Sequence, residues 1–154
     1  MNGNFQERGG LWVVAQALLL LLVLGFSLLF QAADYCAGIF TAGAISLALG
    51  AVTGIAGALA LGKNLTPFPQ PLAQATLVRH GLYAYIRHPL YTSVVLFAAG
   101  WALAWQSWPA LAVAALLVPF FDAKARREEA WLKTRFSEYE EYARATRRFI
   151  PWIY

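Results

Sequence analysis

LWVVAQALLLLLVLGFSLLFQAA, residues 11–33, runs for 23 positions without a charged side chain. A hydrocarbon core about 30 Å thick takes about 20 apolar residues to cross as a helix. The stretch is therefore long enough to span a bilayer. Beyond Asp34, residues 35–62 give a second uncharged run of 28 positions, and a second span is expected over residues 36–62. The composition agrees: 60% of residues are hydrophobic and 13% charged, against about 25% charged in soluble domains. At 154 residues the chain suits one domain, expected over 1–154. A secretory leader is the competing reading of the first run, because Arg8 precedes it and Gln31-Ala32-Ala33 loosely imitates a cleavage site. Leader cores are about 7–15 residues long, shorter than this run, so a retained span is expected.

Charge placement sets an orientation. Eight of the twelve Lys and Arg residues follow position 121, and three more lie between Lys63 and Arg87. The loop between the first two runs holds Asp34 and no Lys or Arg. The positive-inside rule then puts the connector, residues 63–88, and the tail, residues 122–154, in the cytoplasm. Two spans before the connector put the N-terminus there too. Cys36 is the only cysteine, which excludes an intrachain disulfide and a cysteine-based metal site.

The second run is rich in small residues, with Gly50 and Gly54 as GxxxG. Small side chains let helix backbones approach closely in lipid, and packing within the chain is preferred here to a dimer seam. The connector begins with Asn64-Leu-Thr-Pro-Phe-Pro-Gln-Pro, whose three prolines exclude a helix. Residues 89–121 form a hydrophobic hairpin, broken at Gln106-Ser107-Trp108-Pro109, with arms of about sixteen and thirteen apolar residues. The second arm is short for a span. Trp101, Trp105 and Trp108 gather near the turn, as an interfacial belt does. In the tail, Leu132, Phe136, Tyr139 and Ala143 recur on one helical face, with a bend or break expected near Phe136-Ser137. The expected fold is all-α: a polytopic membrane protein with about four transmembrane helices, the last two a short hairpin, and a C-terminal cytoplasmic amphipathic helix.

Polar chemistry concentrates in RHGLYAYIRHPLY, residues 79–91. Taken alone, Arg87-His88-Pro89 fits a helix start at a lipid interface, with Arg87 reaching phosphates and Tyr83 and Tyr91 as anchors. Arg79 and His80 fit the interface as well. Stepping back from Leu132 along its face gives Glu128 and then Lys124, charges aligned with an apolar stripe, where a partner or ligand is expected. Glu129 with Lys133 fits an ordinary i,i+4 surface pair. The chain carries no phosphate-cradling glycine loop, zinc ligand set or Ser-His-Asp pattern, so no metal is expected. Six acids interleave with the basic tail, which suits a membrane surface and not a nucleic acid.

Gly81-x-Tyr83-x-x-x-Arg87-His88-Pro89-x-Tyr91, followed some forty residues later by Glu128-Glu129-x-x-Leu132-x-x-x-Phe136, Tyr139-x-x-Tyr142 and Phe149-Ile-Pro151, resembles the isoprenylcysteine carboxyl methyltransferase family. That family belongs to a wider group of integral-membrane methyltransferases that includes phospholipid N-methyltransferases. The resemblance covers residues 63–151 and implies S-adenosylmethionine as cofactor, bound on the cytoplasmic side without a Rossmann sheet. It implies that Leu77, Val78 and Tyr83 form part of the cofactor wall. His88, Pro89, Leu90 and Tyr91 become the helix opening that contacts the cofactor, and Glu128 its acidic partner. Arg87, His88 and Glu128 are the implied catalytic set, with Arg87 and Lys124 on the substrate side. Lys124 stands where prenylcysteine members carry Arg, and lacks the planar fork that grips a carboxylate through two bonds. Ser137 replaces a common Gly, and Thr146-Arg147-Arg148 replaces Val-Pro-Arg.

The expected activity is methyl transfer to a lipophilic or lipidated acceptor that enters from the bilayer, in a prokaryotic inner membrane. Such a transfer depends mainly on positioning and exclusion of water. The competing readings are a phospholipid amine or small-thiol methyltransferase, where His88 or Glu128 would serve as base, and a non-catalytic membrane scaffold or lipid-binding protein.

Overall fold

A computed structural model describes residues 4–154; Met1–Gly3, the start of the expected domain, lie outside the described residues. The order is α1 (Gly10–Leu29), α2 (Ala37–Leu61), α3 (Pro89–Ala104), α4 (Trp108–Arg135) and α5 (Tyr139–Ala145). Helices α1, α2 and α4 are long and apolar enough to cross a bilayer, whereas α3 has 16 residues. Side chains such as Leu18, Leu21, Val52, Leu59 and Leu116 are more than half exposed. In water such a surface would aggregate; in lipid it is the solvent-facing side. The protein is an integral membrane protein.

The second arm of the hairpin is 28 residues long, because the apolar stretch and the charged stretch after Asp122 form one continuous helix that ends at Arg135, next to the expected break at Phe136-Ser137. Pro119 lies inside it without ending it, as membrane helices tolerate where neighbouring groups re-satisfy the freed carbonyl. Pro109 occupies its first turn, and the Ser107 side chain accepts from the backbone N–H of Ala110.

Small residues join α2 to α3. A Cβ added at Gly43 would lie 2.5 Å from the Ala104 nitrogen, and one at Gly50 2.9 Å from the Phe97 nitrogen. The backbones are too close for any side chain there. Ser93 Oγ donates to the Gly50 carbonyl at 2.8 Å, and Ser46 Oγ to the Leu96 carbonyl at 2.8 Å. The apolar core lies between α1, α3 and α4, around Val23, Ala98, Ala102, Ala114, Leu117 and Phe121.

At one end of the bundle, Gln106 holds the loops together. Its side chain accepts from the Cys36 N–H and donates to the Cys36 carbonyl, while its own carbonyl accepts from the Ala32 N–H. At the other end lie the start of α1, the end of α2, the connector, the start of α3 and the charged half of α4. The helix of the tail stops at Arg135, Phe136 is extended, and α5 turns back so that Tyr139 and Tyr142 are buried. The chain then pairs with the end of the connector: Arg87 N–H donates to the Arg147 carbonyl and His88 N–H to the Arg148 carbonyl.

Candidate functional site

Where the connector passes into α3, Pro89 takes the first helical position and leaves Arg87 and His88 just before it. Both side chains turn toward α4. Arg87 Nε donates to Glu129 Oε1 at 2.9 Å, and its Nη1 donates to the carbonyls of Ala143 (2.9 Å) and Thr146 (2.7 Å). His88, 4% exposed, has Nε2 3.1 Å from Glu129 Oε1 and Nδ1 3.7 Å from Glu128 Oε2. Arg148 comes from the opposite side, with Nη2 2.9 Å from Glu129 Oε2 and Nη1 2.8 Å from Asp122 Oδ1. One buried carboxylate thus gathers Arg87, His88 and Arg148. The bond to Glu129 holds the Arg148 guanidinium protonated even more firmly than usual.

This corrects the reading of Glu129 as half of a surface pair with Lys133. Lys133 is exposed, whereas Glu129 continues the buried stripe Leu117, Phe121, Ala125 by one more helical turn. That signal was present in the sequence: extended forward from the apolar half of α4, the stripe reaches 129, whereas extended backward from Leu132 it reaches 128. Arg148 and Asp122 carried no such signal, because their contacts depend on how the tail folds back.

Glu128 sits one residue round the helix, with 27% of its side chain exposed. Tyr91 donates its hydroxyl to Glu128 Oε2 at 2.5 Å, and the Tyr91 ring stacks between His88 (centroids 5.1 Å) and Phe121 (4.7 Å). Glu128 and Tyr91 face a cavity whose empty space, open mouth included, is about 760 Å³. Leu77, Val78, Tyr83, Arg87, His88 and Leu90 line it too, as do connector residues such as Phe68 and Pro71 and tail residues Phe136, Tyr139 and Tyr142. Burial pushes the Tyr142 phenol up to about 12 and raises those of Tyr83 and Tyr139 further, with Glu128 adding to the shift at Tyr83 and Glu129 at Tyr139. These phenols are hydrogen-bond donors and not bases at neutral pH.

Two expected site residues are elsewhere. Pro89 is buried against Gly57, outside the cavity lining. Lys124, 1% exposed, points away from the cavity: its Nζ donates to Gln16 Oε1 at 2.7 Å and to the Pro67 carbonyl at 3.1 Å, 5.2 Å from the Tyr91 ring centre. Its helical position turns it toward α1 and the connector, so it ties the proline-rich loop to the bundle. Asn64 and Thr76 clasp the base of that loop through reciprocal hydrogen bonds.

Residues 39–139, two thirds of the chain, match the phospholipid methyltransferase family. The chain belongs to that family. It is 39% identical over 77 residues to the cobalt-zinc-cadmium resistance protein CzcN of Cupriavidus metallidurans, covering 49% of this chain and 36% of that one. A probable protein-S-isoprenylcysteine O-methyltransferase of Oryza sativa is 36% identical over 83 residues, 52% of this chain and 43% of that one. The protein-S-isoprenylcysteine O-methyltransferase of Schizosaccharomyces pombe is 33% identical over 79 residues, 50% and 34%. The chain thus matches less than half the length of these relatives. The solved eukaryotic intramembrane Ras methyltransferase, an isoprenylcysteine carboxyl methyltransferase, superposes with a TM-score of 0.72 at 23% identity, over 94% of this chain and 53% of that one. That likeness establishes the fold.

Proposed function

We propose that the protein transfers a methyl group from S-adenosylmethionine to a lipophilic acceptor at the membrane face, most like isoprenylcysteine carboxyl O-methylation. The observation that carries the proposal is the convergence of Leu77, Val78, Tyr83, His88, Leu90, Tyr91 and Glu128 on one cavity at the charged end of the bundle. The cofactor supplies an electrophilic methyl on a sulfonium, with an ammonium and a carboxylate on the same molecule. The lining fits that group. Leu77, Val78 and Phe136 offer apolar walls for a nucleoside, the Glu128 carboxylate suits a cation, Tyr83 adds an aromatic wall, and Tyr91 a fixed hydroxyl.

Each residue then has a definite task. Glu128, held by Tyr91, attracts and orients the cationic end of the cofactor. Glu129, Arg87, His88 and Arg148 form the brace that fixes the opening of α3 against α4. The connector, held by Lys124, covers the cavity and keeps water out. A carboxylate acceptor is already the nucleophile, so no general base is needed: its oxygen takes the methyl, and the electrons of the breaking carbon–sulfur bond stay on sulfur. Opposite charges cancel in that step, so a water-poor, preorganised site favours it.

The methyltransferases of rice and fission yeast favour a carboxylate acceptor over an amine. The lipid-exposed helices favour entry from the bilayer, and the Lys/Arg bias favours a cytoplasmic site and cytoplasmic termini, in a prokaryotic inner membrane. The reading is tested by giving the protein in proteoliposomes methyl-labelled S-adenosylmethionine with an S-prenylcysteine analogue, a phospholipid amine and a small thiol in separate reactions. Label in the base-labile ester of the prenylcysteine is the expected result. Label in the amine or the thiol alone overturns the acceptor assignment, and label in none of them overturns the activity.

A further inference from the structure

One fully buried hydroxyl of the cavity lining is unpaired among the described residues. Tyr139 is 1% exposed and lines the cavity, yet its hydroxyl has no hydrogen-bond partner in the protein among the described residues. Its neighbour Tyr142 shows the ordinary arrangement, donating to the Tyr83 carbonyl at 2.7 Å. A buried hydroxyl without a partner is costly and calls for an explanation, such as a ligand that completes it. Its surroundings indicate what kind. The phenol lies in the field of Glu129 first, then of Arg87 and Glu128. Arg87 commits Nε and Nη1 to protein acceptors and, among the described residues, leaves Nη2 without one.

Resting on the methyltransferase reading above, we propose that the Tyr139 hydroxyl, beside Arg87, donates to a carboxylate held in the cavity. A donor next to a guanidinium selects an anion with lone pairs to spare. An ammonium has none to offer a donor. The carboxylate has two sources, the amino-acid end of the cofactor or the acceptor itself, and the same interaction serves either. Where the carboxylate is the acceptor's, Tyr139 is a specificity residue that favours carboxyl over amine chemistry at this site.

Tyr139→Phe keeps the ring and removes only the hydroxyl. With no protein bond to lose, the variant should melt at or above the wild-type temperature in the same detergent. Calorimetric titration with S-adenosylhomocysteine should show affinity reduced about tenfold or more, the usual effect of deleting a hydrogen bond to a charged group. Methylthioadenosine, which lacks the amino-acid end, should bind both proteins equally. That pattern assigns the bond to the cofactor. Equal S-adenosylhomocysteine affinities, with a tenfold weaker affinity for an N-acetyl-S-prenylcysteine but not for its methyl ester, assign it to the acceptor. Unchanged affinities throughout, or equal losses for carboxylate and carboxylate-free probes, overturn the assignment while leaving the methyltransferase reading intact. A destabilised variant also overturns it, because the hydroxyl would then be structural. A wild-type protein that binds neither nucleoside removes the methyltransferase reading itself.

Discussion

The two ends of α3 are held in opposite ways. Along α2 the helix is joined by absence of side chain: Gly43 and Gly50 let the backbones approach until no Cβ fits, and Ser46 and Ser93 add single hydrogen bonds. At its N-terminus the same helix is joined by charge, with Arg87 and His88 on Glu129 and Arg148 closing the other side. The first join depends on volume and the second on electrostatic completeness. Lipid explains the division. Within the hydrocarbon, close packing replaces the hydrophobic drive. A cluster of charges is tolerated only where its members satisfy one another, and here it lies beside the cavity. The rigid seam keeps α3 in place while the charged join shapes one wall of the site.

Substitutions that break each join in its own terms sharpen the contrast. Glu129→Ala should have the largest effect, because it strands Arg87, His88 and Arg148 without their shared carboxylate. Loss of one member of a buried ionic group costs about 3–5 kcal/mol, to be read from denaturant or thermal unfolding in detergent. Glu129→Gln keeps the shape and should still lose a large part of that stability. Gly43→Leu comes next. It forces the α2 and α3 backbones apart and should cost about 1–3 kcal/mol as an overpacked site. Ser93→Ala removes one interhelical hydrogen bond and should cost about 0.6 kcal/mol. Lys133→Ala should lie within about 0.5 kcal/mol of wild type; a larger loss would restore the surface pairing with Glu129 that the structure replaces.

The apolar seam was legible in the sequence, because span length and glycine spacing are local properties. Residues 11–33 and 36–62 mark α1 and α2 to within a few positions, and Gly50 and Gly54 both meet α3. The break near Phe136-Ser137 was expected too, although the apolar period from Leu132 to Ala143 runs through it. The charged join was half legible. Glu128 could be found from its helical face and the burial of Glu129 from the forward extension of the Leu117, Phe121, Ala125 stripe, but the three partners of Glu129 come from positions 87, 88 and 148. The partners of Lys124 were hidden for the same reason: Gln16 and the Pro67 carbonyl are brought in from distant segments. Partners contributed by chain reversal leave no periodic trace.

The central claim is that the cavity beside the charged join binds the methyl donor through Glu128. Its most direct test is calorimetric titration of S-adenosylhomocysteine into the wild-type protein and into Glu128→Gln, in one detergent and with melting temperatures measured alongside. The account predicts micromolar binding by the wild type and an affinity at least about tenfold lower in the variant, with folding retained. A silent wild-type titration, or an equal affinity in Glu128→Gln, would contradict it.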